Sequence, residues 1–184
     1  MGKVCELIGS VVDGELRVDR MIEDEVFYTV TMRFKDTVVP VLFSSYINSE
    51  NLVTDTKYAV KGCIMSDIEQ GNLPVFYFYV NSMKVVDMDS ETTNIVSFSC
   101  TVTKVKEFDT NSRGIDILPL VGSDASPLSS TSILYLCARK SLARKLKDKP
   151  KGYTITGRGY LKQYRDVYEI YIMDIENSKE LFSD

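Results

Sequence analysis

Phe76-Tyr77-Phe78-Tyr79-Val80-Asn81-Ser82-Met83 returns 92 positions later as Tyr168-Glu169-Ile170-Tyr171-Ile172-Met173-Asp174-Ile175. Working outward from that pair, Tyr58-Ala59-Val60-Lys61-Gly62 is echoed at an offset of 95 by Tyr153-Thr154-Ile155-Thr156-Gly157, each introduced by a lysine, Lys57 or Lys151. Val41-Leu42-Phe43-Ser44 with Asn51-Leu52 matches Tyr135-Leu136-Cys137-Ala138 with Lys145-Leu146 at 94, and Leu7-Ile8-Gly9-Ser10-Val11 matches Phe98-Ser99-Cys100-Thr101-Val102 at 91. Four blocks repeated in one order mark an internal duplication.

Each half is built from strands. In Phe27-Tyr28-Thr29-Val30-Thr31-Met32-Arg33-Phe34 a period of two puts Tyr28, Val30, Met32 and Phe34 on one face, the pattern of a half-buried strand. Each half reads strand, hairpin, strand, strand, a short helix-like connection, strand, hairpin, strand. The connections are Ser45 to Leu52 and Ala138 to Leu146. Five strands with a connection after the third is the order of the OB barrel, which closes on itself and removes its edges. The expected architecture is all-β: two consecutive five-stranded OB-fold barrels, at 1–88 and 94–177, with a short helix between strands 3 and 4 of each and a short acidic tail at 178–184. The polar stretch Asp87 to Thr93 is the expected linker.

With 184 residues, 44% of them apolar and 26% charged, the chain can bury a core in each half. No apolar run approaches the roughly 18 residues of a spanning helix, and Met1-Gly2-Lys3-Val4-Cys5-Glu6 lacks the apolar stretch of a signal peptide, so a cytoplasmic protein with no membrane partner is expected. Cys5, Cys63, Cys100 and Cys137 form no CxxC pair and are expected as free, buried thiols. Histidine is absent, which removes the commonest general base and the commonest metal ligand. Gly157-Arg158-Gly159 lacks the third glycine of a phosphate loop, and Glu23-Asp24-Glu25 reads as a solvated turn. A binding protein without metal or cofactor is expected, and not an enzyme.

Several stretches carry a resemblance: Val4-Cys5-Glu6-Leu7-Ile8-Gly9, Phe27-Tyr28-Thr29-Val30-Thr31-Met32 and Val39-Pro40-Val41-Leu42 in the first half, then Cys137-Ala138-Arg139-Lys140-Ser141-Leu142-Ala143 and Tyr153-Thr154-Ile155-Thr156-Gly157-Arg158-Gly159 in the second. Together they resemble the tandem OB-fold single-stranded DNA-binding proteins of Firmicutes of the clostridial type, within the bacterial single-stranded DNA-binding protein superfamily. The resemblance implies a nucleic-acid groove across the second and third strands of each barrel. The chain departs from the pattern at the end of the third strand, where relatives often carry a stacking tryptophan and glycine. Here Ser44-Ser45 and Ala138-Arg139 stand, and tryptophan is absent. The ending Glu176 to Asp184 also lacks the long linker and Pro-Phe terminus through which relatives recruit partner enzymes.

Charge is unevenly divided. Residues 1–90 hold 8 basic and 14 acidic side chains, net −6; residues 91–184 hold 14 and 12, net +2. Such an asymmetry between halves is a partner signal. Arg139, Lys140, Arg144, Lys145, Lys147, Lys149 and Lys151 set seven cations against Asp148 alone, although on a helix the same residues also make an ordinary solvated face. Arg158, Tyr160, Lys162, Tyr164 and Arg165 interleave cations with phenol rings on the expected last hairpin, a composition that grips a single strand. In the first barrel Phe27 and Arg33 fall opposite the core residues of the second strand and are the candidate nucleic-acid contacts; in the second barrel Arg113 at the mouth of the second strand and Tyr135 on the third are further candidates. Pro119 is expected to mark an edge or an early end of its strand, and Val121 to Ser132 to form a mobile loop able to close over a ligand.

The expectation is single-stranded DNA binding with little sequence preference, in replication, recombination or repair, mainly through the second barrel. Replication proteins are further expected partners, and a homodimer would present four barrels. The alternatives are an OB-fold protein-interaction module without nucleic-acid binding, and an RNA-binding OB protein.

Overall fold

The computed structural model describes residues 2–67, 74–128, 131–165 and 167–183. Its first half is a closed barrel of β1 (Cys5–Ile22), β2 (Glu25–Phe34), β3 (Thr37–Ser44), β4 (Lys57–Asp67) and β5 (Val75–Val85), in the order β1-β2-β3-β5-β4. Antiparallel pairing of β1 with β4 closes the ring, and β3 runs parallel to β5, Leu42 lying opposite Tyr79. The second half contains β6 (Ile95–Val105), β7 (Asp109–Thr110), β8 (Asp116–Asp124), β9 (Ser132–Arg139), α1 (Lys140–Leu146), β10 (Thr154–Tyr164), β11 (Val167–Ile175) and α2 (Ser178–Leu181). The sheet order β6-β10-β11-β9-β8 is closed by β6 pairing with β8, and β7 adds a small hairpin on β8.

The alternation read from sequence is the one that fills the barrels. Val30, Met32 and Phe34 of β2 meet Val39, Val41 and Phe43 of β3 and Phe76 and Phe78 of β5 in the core. The second barrel is filled by Val96, Phe98, Leu118, Leu120, Leu134, Leu136, Leu161 and Ile170. Cys63, Cys100 and Cys137 are buried and every described cysteine is a free thiol. Burial pushes Cys63 and Cys137 up to about 11 and Cys100 up to about 12, so these thiols stay protonated and unreactive.

The register corrects one sequence match. Gly62 stands opposite Val80 on β5 and Gly159 opposite Ile172 on β11, each at the start of a bulge in which Asn81 or Met173 is the extra residue. A Cβ on Gly62 would lie 1.9 Å from the Tyr79 carbonyl oxygen, and one on Gly159 would lie 2.5 Å from that of Tyr171. Gly62 is therefore the counterpart of Gly159, two positions beyond the Gly157 that the motif suggests.

Two connections also differ from expectation. A helix follows the third strand only in the second barrel, as α1, whose Lys-Ser-Leu-Ala-Arg-Lys-Leu is rich in helix formers. In the first barrel Ser45 to Ile47 form a turn, with Ile47 N donating to Ser44 O at 2.9 Å. The chain beyond is tied to β1: Leu16 N donates to Asn51 Oδ1 at 3.0 Å and Leu52 N to Gly14 O at 2.9 Å. Polar side chains that bond neighbouring backbone compete with helix, and here they win. Pro119 does not end its strand: β8 runs through it to Asp124, paired with Cys137 of β9, so the connection is shorter than the sequence suggests. The tail folds back as α2, burying Leu181.

The barrels meet through equivalent elements. Phe76 of β5 stacks on Tyr168 of β11, its counterpart at offset 92, with ring centroids 4.8 Å apart. Tyr168 Oη donates to Val38 O at 2.6 Å, Thr37 Oγ1 to Leu161 O at 3.1 Å, and Ser66 N to Ser132 Oγ at 2.8 Å. The start of the third strand of each barrel thus meets the fourth strand of the other. One buried apolar cluster runs through both barrels.

Candidate nucleic-acid interface

On β9 the core residues Leu134, Leu136 and Ala138 alternate with Tyr135, Cys137 and Arg139, which face outward. On β11, between buried Ile170 and Ile172, Tyr171 faces the same side, and Glu169 lies one alternation away. On β10 the outward series is Arg158, Tyr160, Lys162 and Tyr164. Register converts these into rows across the sheet. Pro119, Cys137, Tyr171 and Tyr160 form one, and Val121, Tyr135, Glu169 and Lys162 the next. Three phenol rings, Tyr135, Tyr160 and Tyr171, therefore share the outer face of β9, β11 and β10.

Cations rim this face. The Arg139 guanidinium lies 5.4 Å from the Tyr171 ring centroid and the Lys106 ammonium 5.8 Å from that of Tyr135. Such placements hold a charge near a ring and leave it able to reach a phosphate. Lys140 is exposed at a positive φ of 55° at the start of α1, and Arg113 is exposed in the turn between β7 and β8. At the β10–β11 hairpin tip Tyr164 is 70% exposed, with the Arg165 guanidinium 5.7 Å from its ring centroid.

Other expected residues are already engaged. Arg144 is paired with Asp116, whose carboxyl is held below the usual range by that bond and by one from Thr110 Oγ1 at 2.9 Å. Arg158 pairs with Asp174 at 2.7 Å, which pushes its guanidinium further up. Lys162 pairs with Asp36 of the first barrel at 2.8 Å. Within the cluster from 139 to 151, the Lys145 ammonium lies 5.2 Å from the Phe182 ring centroid, and Lys149 donates to Leu181 O at 2.5 Å. Much of that cluster secures the tail and α1.

The counterpart face of the first barrel is closed. Phe27, expected to line the nucleic-acid groove, is 3% exposed and packs with Leu42, Met65 and Tyr77, with Leu128 from the second barrel's β8–β9 connection lying against the cluster. The strand alternation placed Phe27 outward correctly, but the outer face is itself covered. Tyr77 Oη donates to Asp19 Oδ1 at 2.9 Å, and Arg20 is paired with Asp19 and Asp67. Beside this network lies a cavity of about 230 Å³ lined by Asp13, Glu15, Arg17 and Asp19, a surface of the wrong sign for phosphate. Arg33 is exposed on β2, away from any aromatic partner among the described residues.

Lys106, Tyr171 and Glu169 were not singled out from sequence. Tyr171 was legible, since it is the counterpart of Tyr79 and stands between two core isoleucines. Lys106 follows the end of β6 and reaches Tyr135 only across the barrel closure, which no local pattern shows.

No family model matches the chain, and no curated protein matches it either. Its fold is similar to that of the wild-type single-stranded DNA-binding protein from Thermus aquaticus, with a TM-score of 0.76 over 96% of this chain and 92% of that one, at 14% identity. A deletion mutant of the same protein gives 0.75 over 96% and 93%, again at 14% identity. The likeness covers both barrels and their mutual arrangement, and it establishes a shared tandem fold.

Proposed function

We propose that the protein binds single-stranded DNA along the outer face of the second barrel, largely without regard to sequence, in replication, recombination or repair. The observation that carries this reading is the grouping of Tyr135, Tyr160 and Tyr171 on one sheet face, with Arg139 and Lys106 set over two of the rings. Stacking on such rings contributes roughly 1–3 kcal/mol per base and accepts every base, while the cations follow the backbone. The likeness to the single-stranded DNA-binding protein from Thermus aquaticus supports the same reading. It is the reading of a binding protein and not of an enzyme, acting in the cytoplasm, with replication proteins as further partners. A homodimer would use the apolar flank of the β1–β2 hairpin, where Val18 is 64% and Met21 65% exposed, and light scattering would give twice the chain mass.

The test is fluorescence anisotropy of a labelled oligothymidylate at low and moderate salt, with Arg139→Glu/Lys140→Glu alongside. Saturable binding that weakens with salt and fails in the variant is expected. No binding even at low salt would leave the interaction module as the better account, and tighter binding to an oligouridylate would point to RNA.

A further inference from the structure

Glu169 is out of keeping with a surface that contacts phosphate. It sits among Tyr135, Tyr171 and Cys137 on the aromatic face, half-buried, and burial raises its carboxyl above the ordinary range. Its neighbour across the β10–β11 ladder is Lys162, the cation that would normally neutralise it. Lys162 instead pairs with Asp36 of the first barrel at 2.8 Å. Lys106, whose charge acts on Glu169 and works against the effect of burial, lies over the Tyr135 ring. Among the described residues Glu169 forms no hydrogen bond or ion pair. The counterpart position in the first barrel is Tyr77, whose hydroxyl is satisfied by Asp19. The second barrel thus keeps an unpaired acceptor where the first has a closed network.

A half-buried carboxylate with no protein donor is served by water, and a ligand that displaces that water has to supply donors of its own. The phosphate backbone supplies only negative charge, so the donor has to come from a base. On a single strand the Watson–Crick edges are free. Guanine presents two adjacent N–H groups that match the two oxygens of a carboxylate, while cytosine and adenine each present an amino group. Thymine offers one N–H flanked by two carbonyl oxygens that a carboxylate repels.

We infer that Glu169 is a base-reading residue within the stacking face, accepting hydrogen bonds from a base stacked on Tyr135 or Tyr171 and favouring guanine, then cytosine and adenine, over thymine at one subsite. This rests on the single-strand reading above and adds one biased position to a surface otherwise indifferent to sequence. The inter-barrel pair Asp36–Lys162 is part of the device, because it keeps the carboxylate unpaired.

The experiment compares labelled oligonucleotides of roughly 12 nucleotides, within the span of one OB surface: all thymidine, all cytidine, and thymidine with guanine at alternate positions. Each is titrated against wild type, Glu169→Gln and Glu169→Asp at neutral pH and low salt. Wild type is expected to prefer the guanine and cytidine strands over thymidine by on the order of tenfold. Glu169→Gln, which can donate to thymine as well as accept, should bring the three within about twofold of one another. Glu169→Asp keeps the charge but shortens the reach, and should weaken the preference without the general gain that loss of a negative charge gives. Equal affinities in wild type, or a Glu169→Gln variant that tightens on all three strands by the same factor, would overturn the assignment while leaving single-strand binding intact. Failure of wild type to bind any strand would instead overturn the single-strand reading, and this inference with it.

Discussion

Tyrosines at equivalent places in the two barrels stand in different surroundings. Tyr79 is half-buried against Phe27, with centroids 6.4 Å apart, whereas Tyr171 has the Arg139 guanidinium beside it. Tyr171→Ala and Tyr135→Ala should each weaken oligothymidylate binding by roughly 1–3 kcal/mol, read as a rise in dissociation constant with an unchanged melting temperature. Phe27→Ala should do the reverse. It empties a buried site, which typically costs about 3–5 kcal/mol of stability, so urea denaturation should show an early midpoint while affinity per folded molecule is kept. Equal loss of affinity in Phe27→Ala would return that ring to the binding surface. The contrast marks what sequence could not decide: alternation puts Phe27 and Tyr135 alike on outer faces, and only the tertiary cover over the first barrel separates them.

Among the elements, the strands were legible because each carries its own period, and every strand the repeat called for is present. The connections were less so. Ser45 to Leu52 and Ala138 to Leu146 occupy the same place in the repeat, but the first spends its backbone and the Asn51 side chain on β1, and the second is free to wind as α1. The basic cluster suffered similarly: seven cations between positions 139 and 151 read as one patch, although Arg144, Lys145 and Lys149 are tied to Asp116, Phe182 and Leu181. Charge reversal at Arg139 and Lys140 should therefore abolish binding, whereas Lys145→Glu should mainly loosen α2 and alter affinity little, as amide exchange at Leu181 and Phe182 would report. The glycines of β4 and β10 make a second test. Gly62→Ala forces a Cβ against the Tyr79 carbonyl, where backbone must move, and should destabilise the first barrel well beyond the roughly 1 kcal/mol that separates Gly from Ala by propensity alone. A thermal midpoint unchanged by Gly62→Ala would mean that the bulge is not needed to close the barrel.

At the scale of the whole molecule, the two barrels form a fused pair joined along one seam. The seam is polar at its rim and aromatic at its centre. Asp36 at the rim is held below the usual carboxylate range by the bond from Lys162. Because its folded value is lowered, the stabilisation is present above an ordinary aspartate pKa of about 3.9 and is lost as pH falls through the lowered value. The pair is largely exposed and contributes no more than about 1 kcal/mol, so Asp36→Asn should slightly flatten the loss of stability on acidification below about pH 4. The centre matters more. Tyr168 stacks on Phe76, bonds the Val38 carbonyl and joins the core cluster that continues through both barrels. A continuous core couples the halves, so the intact protein should unfold in one transition, with calorimetric and van't Hoff enthalpies equal. Tyr168→Ala removes the stack and the bond together and should split that transition, the calorimetric enthalpy then exceeding the van't Hoff value. Two transitions already present in wild type would show the barrels to be independent; a single transition retained in Tyr168→Ala would assign the coupling to the flanking contacts of Thr37 and Ser66.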